Sequence, residues 1–102
     1  MKVRKATKKI CVWSGKRGGF GALSPTMRAI QDHKDLDLAL VVTDQHLYDR
    51  FGRTVREVEG QFPVAAAIDM EQSGDSNGER ARAVGRCLQR SVDVLNDLAP
   101  DI

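Results

Sequence analysis

Two short stretches hold the residues whose types and spacing suit chemistry. The first is Ser14-Gly15-Lys16-Arg17-Gly18-Gly19-Phe20-Gly21, between an apolar run and a helical pattern. Glycines let a backbone turn tightly and approach a ligand closely, and a helix start offers free N–H groups and positive dipole. Arg17 can hold a phosphate through two parallel hydrogen bonds, so the stretch reads as an anion site. The plainer alternative is a glycine-rich turn with two solvated basic residues. Neither common phosphate motif is present. No Lys-Ser/Thr pair follows the glycines as a P-loop requires, and Gly15, Gly18, Gly19 and Gly21 do not make Gly-x-Gly-x-x-Gly. The second stretch is Val42-Thr43-Asp44-Gln45-His46. His46 can hydrogen-bond a phosphate or sugar hydroxyl, or move a proton, although a lone histidine is often structural. His33, between Asp32 and Lys34, reads as solvated surface.

The elements that must position these residues follow from apolar runs. Ile10–Trp13, Leu38–Val42 and Val64–Ile68 are continuous rather than alternating, which predicts strands covered on both faces. Phe20, Leu23, Met27 and Ile30 recur at helical spacing. That helix starts either near Gly19, tolerating Pro25, or at Ser24 with proline in its first turn. Thr54–Gly60 predicts a short helix stopped by its glycine. In the last segment Ala81, Val84, Leu88, Val92, Leu95 and Leu98 make one apolar face flanked by Arg80, Arg82, Arg86 and Arg90, with Ser76 or Asn77 as cap. The loop 71–78 is polar and predicted to be mobile.

The order β-α-β-α-β-α calls for an α/β fold, a parallel three-stranded sheet with right-handed crossovers. The expected strand order is three, two, one. Ligands in such sheets meet the carboxyl ends of the strands, so both stretches share one rim. The first strand is expected to be an exposed edge, open to a homodimer or covered by the basic arm of residues 1–8. Residues 9–102 form the domain. Pro100-Asp101-Ile102 resembles the run-in to a fourth strand, before which the chain is expected to stop.

Composition narrows the function classes. The 102 residues carry 41% hydrophobic and 29% charged side chains and a net charge of +2, ordinary for one small soluble domain and too mild for nucleic acid as main partner. No stretch approaches the roughly 18 apolar residues of a membrane span, and the N-terminus lacks a signal-peptide core. Cys11 and Cys87 have neither disulfide-framework nor zinc spacing and read as small buried hydrophobes in a reducing, cytoplasmic setting.

Lys9–Gly21 resembles the opening strand and loop of the hydrolysing UDP-N-acetylglucosamine 2-epimerases, nearest the branch that supplies N-acetylmannosamine for sialic acid synthesis. Leu23-Ser24-Pro25-Thr26-Met27 is similar to that family's first helix. Val41–Leu47, with Phe51-Gly52 and Thr54, is similar to its second-strand signature, and Leu98–Ile102 to the segment before its fourth strand. The resemblance implies the first part of a glycosyltransferase-B-type N-terminal domain, Rossmann-like, whose complete enzyme converts UDP-N-acetylglucosamine to N-acetylmannosamine and UDP without metal or nicotinamide. It further implies that Arg17 contacts the UDP phosphates, that the Gly21 backbone lines the same pocket, and that His46 stands at the substrate rim. Gly19 replaces an acidic residue usual in the family, and Phe20 a frequent tyrosine. The family's acid/base carboxylates lie beyond its fourth strand. No catalytic role is therefore assigned to any residue, Asp44 and Asp49 included, and the chain alone is expected to be inactive. Alternatives are a nucleotide-binding half-domain without turnover, a dinucleotide-binding fragment with Asp44 on a ribose hydroxyl, and an interaction protein using the arginine-flanked last helix.

Overall fold

The structure is a computed structural model describing residues 7–48 and 54–102, without the side chain of Arg17. Most of the basic arm (Lys2, Arg4, Lys5) and the Phe51-Gly52 pair lie outside the described residues. The elements follow the expected order: β1 (Lys8–Ser14), α1 (Arg17–Asp32), β2 (Leu36–Thr43), a 3-10 turn (Asp44–Leu47), α2 (Val55–Glu59), β3 (Val64–Ile68) and α3 (Asn77–Leu98). The strands form one parallel sheet with β2 in the middle, an α/β arrangement matching the opening segment of a Rossmann-like domain. β1 pairs with β2 from Lys8 opposite Leu36 to Ser14 opposite Val42. The β2–β3 ladder is irregular between Leu40 and Val41.

Only the central strand is covered as the continuous runs predicted. Residues 39–43 of β2 are all buried, whereas β3 alternates, with Ala65 and Ala67 exposed, so one of its two faces is uncovered. One face of the sheet packs a core of Phe20, Met27, Leu40, Val42, Val55, Val58 and Phe62, with Val12, Leu23, Leu38, Leu47 and Val64 against it. The helical spacing of Phe20, Leu23 and Met27 thus serves this core. α1 starts at Arg17 and tolerates Pro25, which has no N–H to give to the Gly21 carbonyl. Arg28 spans from α1 to the segment before β3, its guanidinium over the Phe62 ring at 5.1 Å and bonded to Gln61 Oε1 at 3.0 Å.

The last helix departs from expectation. α3 is capped by Ser76, one of the two caps its sequence offered, whose hydroxyl accepts the Glu79 N–H. Yet the apolar face named for it points outward: Val84, Leu88, Val92 and Leu95 are exposed, Leu88 by 67%. The helix is seated through Ala83, which is fully buried, with Cys87 and Val94 half-buried. The two cysteines are free and half-buried rather than enclosed. Among the described residues no helix is long and apolar enough to cross a membrane.

The outer edge of β1 is not fully open. Its Lys9–Cys11 end is held by the chain's own Asp101 and Ile102. The expected exposed edge is thereby reduced to the part beyond Cys11.

Candidate functional site at the carboxyl ends of the strands

The glycine loop and the turn after β2 are brought together as the shared-rim expectation required. β1 ends at Ser14, Gly15 and Lys16 turn the chain, and α1 begins with Arg17. Lys16 is extended and provides no side-chain cap, and no acidic residue stands in the first turn. The first N–H groups of a helix have no intrahelical acceptor, so this end is suited to an anion. A Cβ added at Gly18 or Gly21 would meet nothing within 4 Å. The chain's own packing therefore does not require glycine there, and the space beside the first turn is open. Arg17 has its backbone at this helix start, and its side chain lies outside the described atoms.

β2 leaves the sheet abruptly. Asp44 takes a left-handed conformation with φ of 55°, a region that aspartate enters more readily than most residues. That reversal starts the 3-10 turn. The Gln45 N–H donates to the Gly15 carbonyl at 2.8 Å, and the Thr43 hydroxyl donates to the Ile68 carbonyl at 2.7 Å, tying the ends of all three strands. A Cβ on Gly15 would meet Asp44 Cβ at 3.6 Å, ordinary contact distance.

His46 sits beneath this rim rather than on it. It is fully buried, with Nε2 2.8 Å from the Ser14 hydroxyl and Nδ1 2.7 Å from the Thr54 hydroxyl. The Phe20 ring meets it edge-on at 6.1 Å. Loss of solvent holds its pKa below the ordinary histidine value, against smaller opposing pulls from the Asp44 and Glu57 carboxylates. A neutral imidazole has one donor and one acceptor, and two hydroxyls satisfy both in either tautomer. Sequence reasoning named all three residues but did not bring Ser14 and Thr54 to His46. The available signals were a serine closing the first apolar run and a threonine eight residues past the histidine at a helix start.

A cavity of about 390 Å³ opens on the β3 side of the turn, lined by Asp44, Gln45, Met70, Gln72, Asp75, Arg80 and Val84. Its polar groups suit a hydroxyl-bearing ligand. The arginine flank of α3 has a separate task. Arg86 donates to the carbonyls of Met70 (3.3 Å) and Glu71 (2.9 Å), while Arg90 bonds the Asp69 carbonyl and, at 2.7 Å, the Glu71 carboxylate. These two cations clamp the loop after β3, where Glu71 has φ of 50°. Gln72 adds a bond from its N–H to the Tyr48 hydroxyl at 3.0 Å. The loop expected to be mobile is thus extensively bonded, and the flank read as solvated or partner-binding engages that loop at Arg86 and Arg90. His33 is exposed, as expected, and accepts the Asp35 N–H. Burial pushes the Cys11 thiol up, away from the reactive thiolate. Among the described residues no cluster could hold a metal ion.

Comparison with known proteins places the chain in a family. The family model for UDP-N-acetylglucosamine 2-epimerase matches residues 28–102. A UDP-N-acetylglucosamine 2-epimerase from Neisseria meningitidis is 43% identical over 95 residues, 93% of this chain and 24% of the relative. A GDP/UDP-N,N'-diacetylbacillosamine 2-epimerase (hydrolyzing) from Campylobacter jejuni is 30% identical over 95 residues, 93% of this chain and 25% of that protein. A UDP-N,N'-diacetylbacillosamine 2-epimerase (hydrolyzing) from Legionella pneumophila is 27% identical over 96 residues, 93% and 26%. The chain spans about a quarter of the length of these curated relatives. With its parallel β-α order and the family match over all but its first 27 residues, the chain belongs to the UDP-N-acetylglucosamine 2-epimerase family.

Proposed function

We propose that this chain is the nucleotide-sugar-facing N-terminal part of a hydrolysing UDP-N-acetylglucosamine 2-epimerase. In the complete enzyme the C1–O bond to UDP breaks as the C2 proton is lost, and water then adds across the resulting glucal to give N-acetylmannosamine. The observation carrying this reading is the α1 N-terminus at the end of β1, with no acidic residue in its first turn and open space at Gly18 and Gly21. Negative charge grows on the departing diphosphate, and the free N–H groups of a fixed helix start stabilise that charge. Arg17 is assigned to the phosphates and the Gly21 backbone to the same pocket, with the buried His46 supporting the rim from beneath. The relatives' names differ in the sugar but share a nucleoside diphosphate, which favours the diphosphate as what this part meets. No carboxylate of this chain is assigned as acid or base. The proposal includes a cytoplasmic location and chemistry without metal or nicotinamide. It leaves nucleic acid out as a partner.

The test is turnover. Purified chain incubated with UDP-N-acetylglucosamine is expected to release neither N-acetylmannosamine nor UDP, because general acid–base catalysis needs groups within hydrogen-bond reach of the sugar. Turnover that survives repurification and disappears in Arg17→Ala would contradict the assignment of catalysis elsewhere. A second reading, a nucleotide-binding half-domain without turnover, is favoured by the cavity beside Asp44. Self-association through β1 would have to use the end beyond Cys11, and light scattering over a concentration series tests it.

A further inference from the structure

We propose that His46 is a positioning residue: its imidazole, bonded through both ring nitrogens to Ser14 and Thr54, locks the glycine loop to the start of α2. An imidazole has two hydrogen-bonding positions, and both are occupied within the protein at 2.8 and 2.7 Å. The ring is fully enclosed, with the Phe20 edge against it. A ligand could reach either nitrogen only by displacing one of the hydroxyls.

The two partners come from separate elements. Ser14 is 32 residues before the histidine and Thr54 eight after it. Ser14 closes β1 and is itself buried. Thr54 occupies the cap position of α2, where threonine ordinarily accepts an N–H of the first turn. Here its hydroxyl makes no such bond and meets His46 instead. The capping group has been diverted from its own helix to the histidine.

A hydroxyl both donates and accepts, so Ser14, His46 and Thr54 form one chain with a single direction of donation. Changing one end alters what the other must do. The Gln45 N–H bond to the Gly15 carbonyl lies alongside and depends on the same turn being held. Removing the Thr54 hydroxyl should therefore be felt at Gly15 and Gln45, which it does not touch. That this matters for nucleotide binding rests on the function proposed above.

The experiment uses isotope-labelled full chain at pH 7. In the unaltered protein the His46 ring nitrogens should give one protonated and one unprotonated resonance, a single fixed tautomer. Two averaged resonances would mean a free ring and would overturn the proposal without any variant. In Thr54→Val the Gln45 amide should exchange about tenfold faster, the loss of roughly one ordinary hydrogen bond's worth of protection. Thr54→Ser should restore the slow rate. A Thr54→Val chain that is folded by circular dichroism yet exchanges Gln45 at the unaltered rate would overturn the lock. Titration with UDP separates the two readings. Weaker binding in Thr54→Val, restored in Thr54→Ser, supports both. Coupled Gln45 exchange with no UDP binding in the unaltered chain supports the lock and removes the nucleotide reading alone.

Discussion

The Cys11 N–H donates to the Ile102 carbonyl at 2.8 Å, while the Lys9 carbonyl accepts the N–H groups of Asp101 and Ile102. This pattern brackets Ile10 and sets Ile102 opposite it in parallel register. Asp101 adds its carboxylate on the Lys9 N–H at 2.8 Å, and the Lys9 ammonium reaches the Leu98 carbonyl at 2.7 Å. Ala99, left-handed with φ of 45°, makes the corner that lets the chain leave α3 and meet β1. Removing Asp101 and Ile102 is expected to free the β1 edge. Cys11 amide exchange should accelerate, and light scattering should show association rising with concentration. No change in either would mean that the pairing contributes nothing in solution.

The seating of α3 gives a contrast between neighbours. Ala83 is fully buried against the sheet and Leu88 is 67% exposed. Ala83→Leu is expected to destabilise by about 1–3 kcal/mol through overpacking. Leu88→Gln should stay within about 0.5 kcal/mol of the unaltered chain, as exposed substitutions do. Urea unfolding measures both, and the reverse order would show that the large apolar stripe is the packed face.

The sheet was legible because β2 is apolar along nearly its whole length and the second and third runs abut aspartate or proline. Strand order, the Ser76 cap and the helical spacing of Phe20, Leu23 and Met27 were legible for similar local reasons. The orientation of α3 was not. Periodicity finds an apolar stripe at Val84, Leu88, Val92 and Leu95 but does not say which face the sheet accepts. The helix is seated through Ala83 instead, and which face is seated depends on the surface it meets. The candidate site divides the same way. The glycine loop and His46 are visible as residue types, whereas the bonds from Ser14 and Thr54 join positions far apart in sequence. The Arg86 and Arg90 clamp is likewise a product of folding, since a basic helix flank looks the same whether it faces water or a carbonyl.

Stability should depend on pH through His46. Burial lowers its folded pKa, with Asp44 of its own turn and Glu57 of α2 opposing, while Ser14 and Phe20 approach it as uncharged groups. A base whose folded pKa lies below its unfolded value contributes stability that is complete above the unfolded value, near 6.5 for histidine. That contribution is lost as pH falls from there toward the folded pKa, because the unfolded chain binds the proton first. Denaturation midpoints taken from pH 7.5 downward should fall on crossing that range in the unaltered chain, with a smaller fall in His46→Gln. Parallel profiles for the two would remove the histidine as the cause.

The clamp on the loop after β3 predicts a local rather than global effect. Arg90 is largely exposed, so Arg90→Ala is expected to cost about 1 kcal/mol or less in overall stability. The segment 69–72 should nevertheless become more open, which limited proteolysis or amide exchange would register. Arg82→Ala removes only the helical pair with Glu79 and should leave that segment as it is. If both variants open the loop equally, the clamp is not what holds it.

Calorimetric titration of the full chain with UDP, repeated on Arg17→Ala, tests whether the start of α1 meets a nucleoside diphosphate, as proposed. Measurable binding is expected, weakened by about 1.5–3 kcal/mol in the variant, the loss of a charge-assisted guanidinium–phosphate contact. Equal affinity in both chains, or no heat with either, would contradict it.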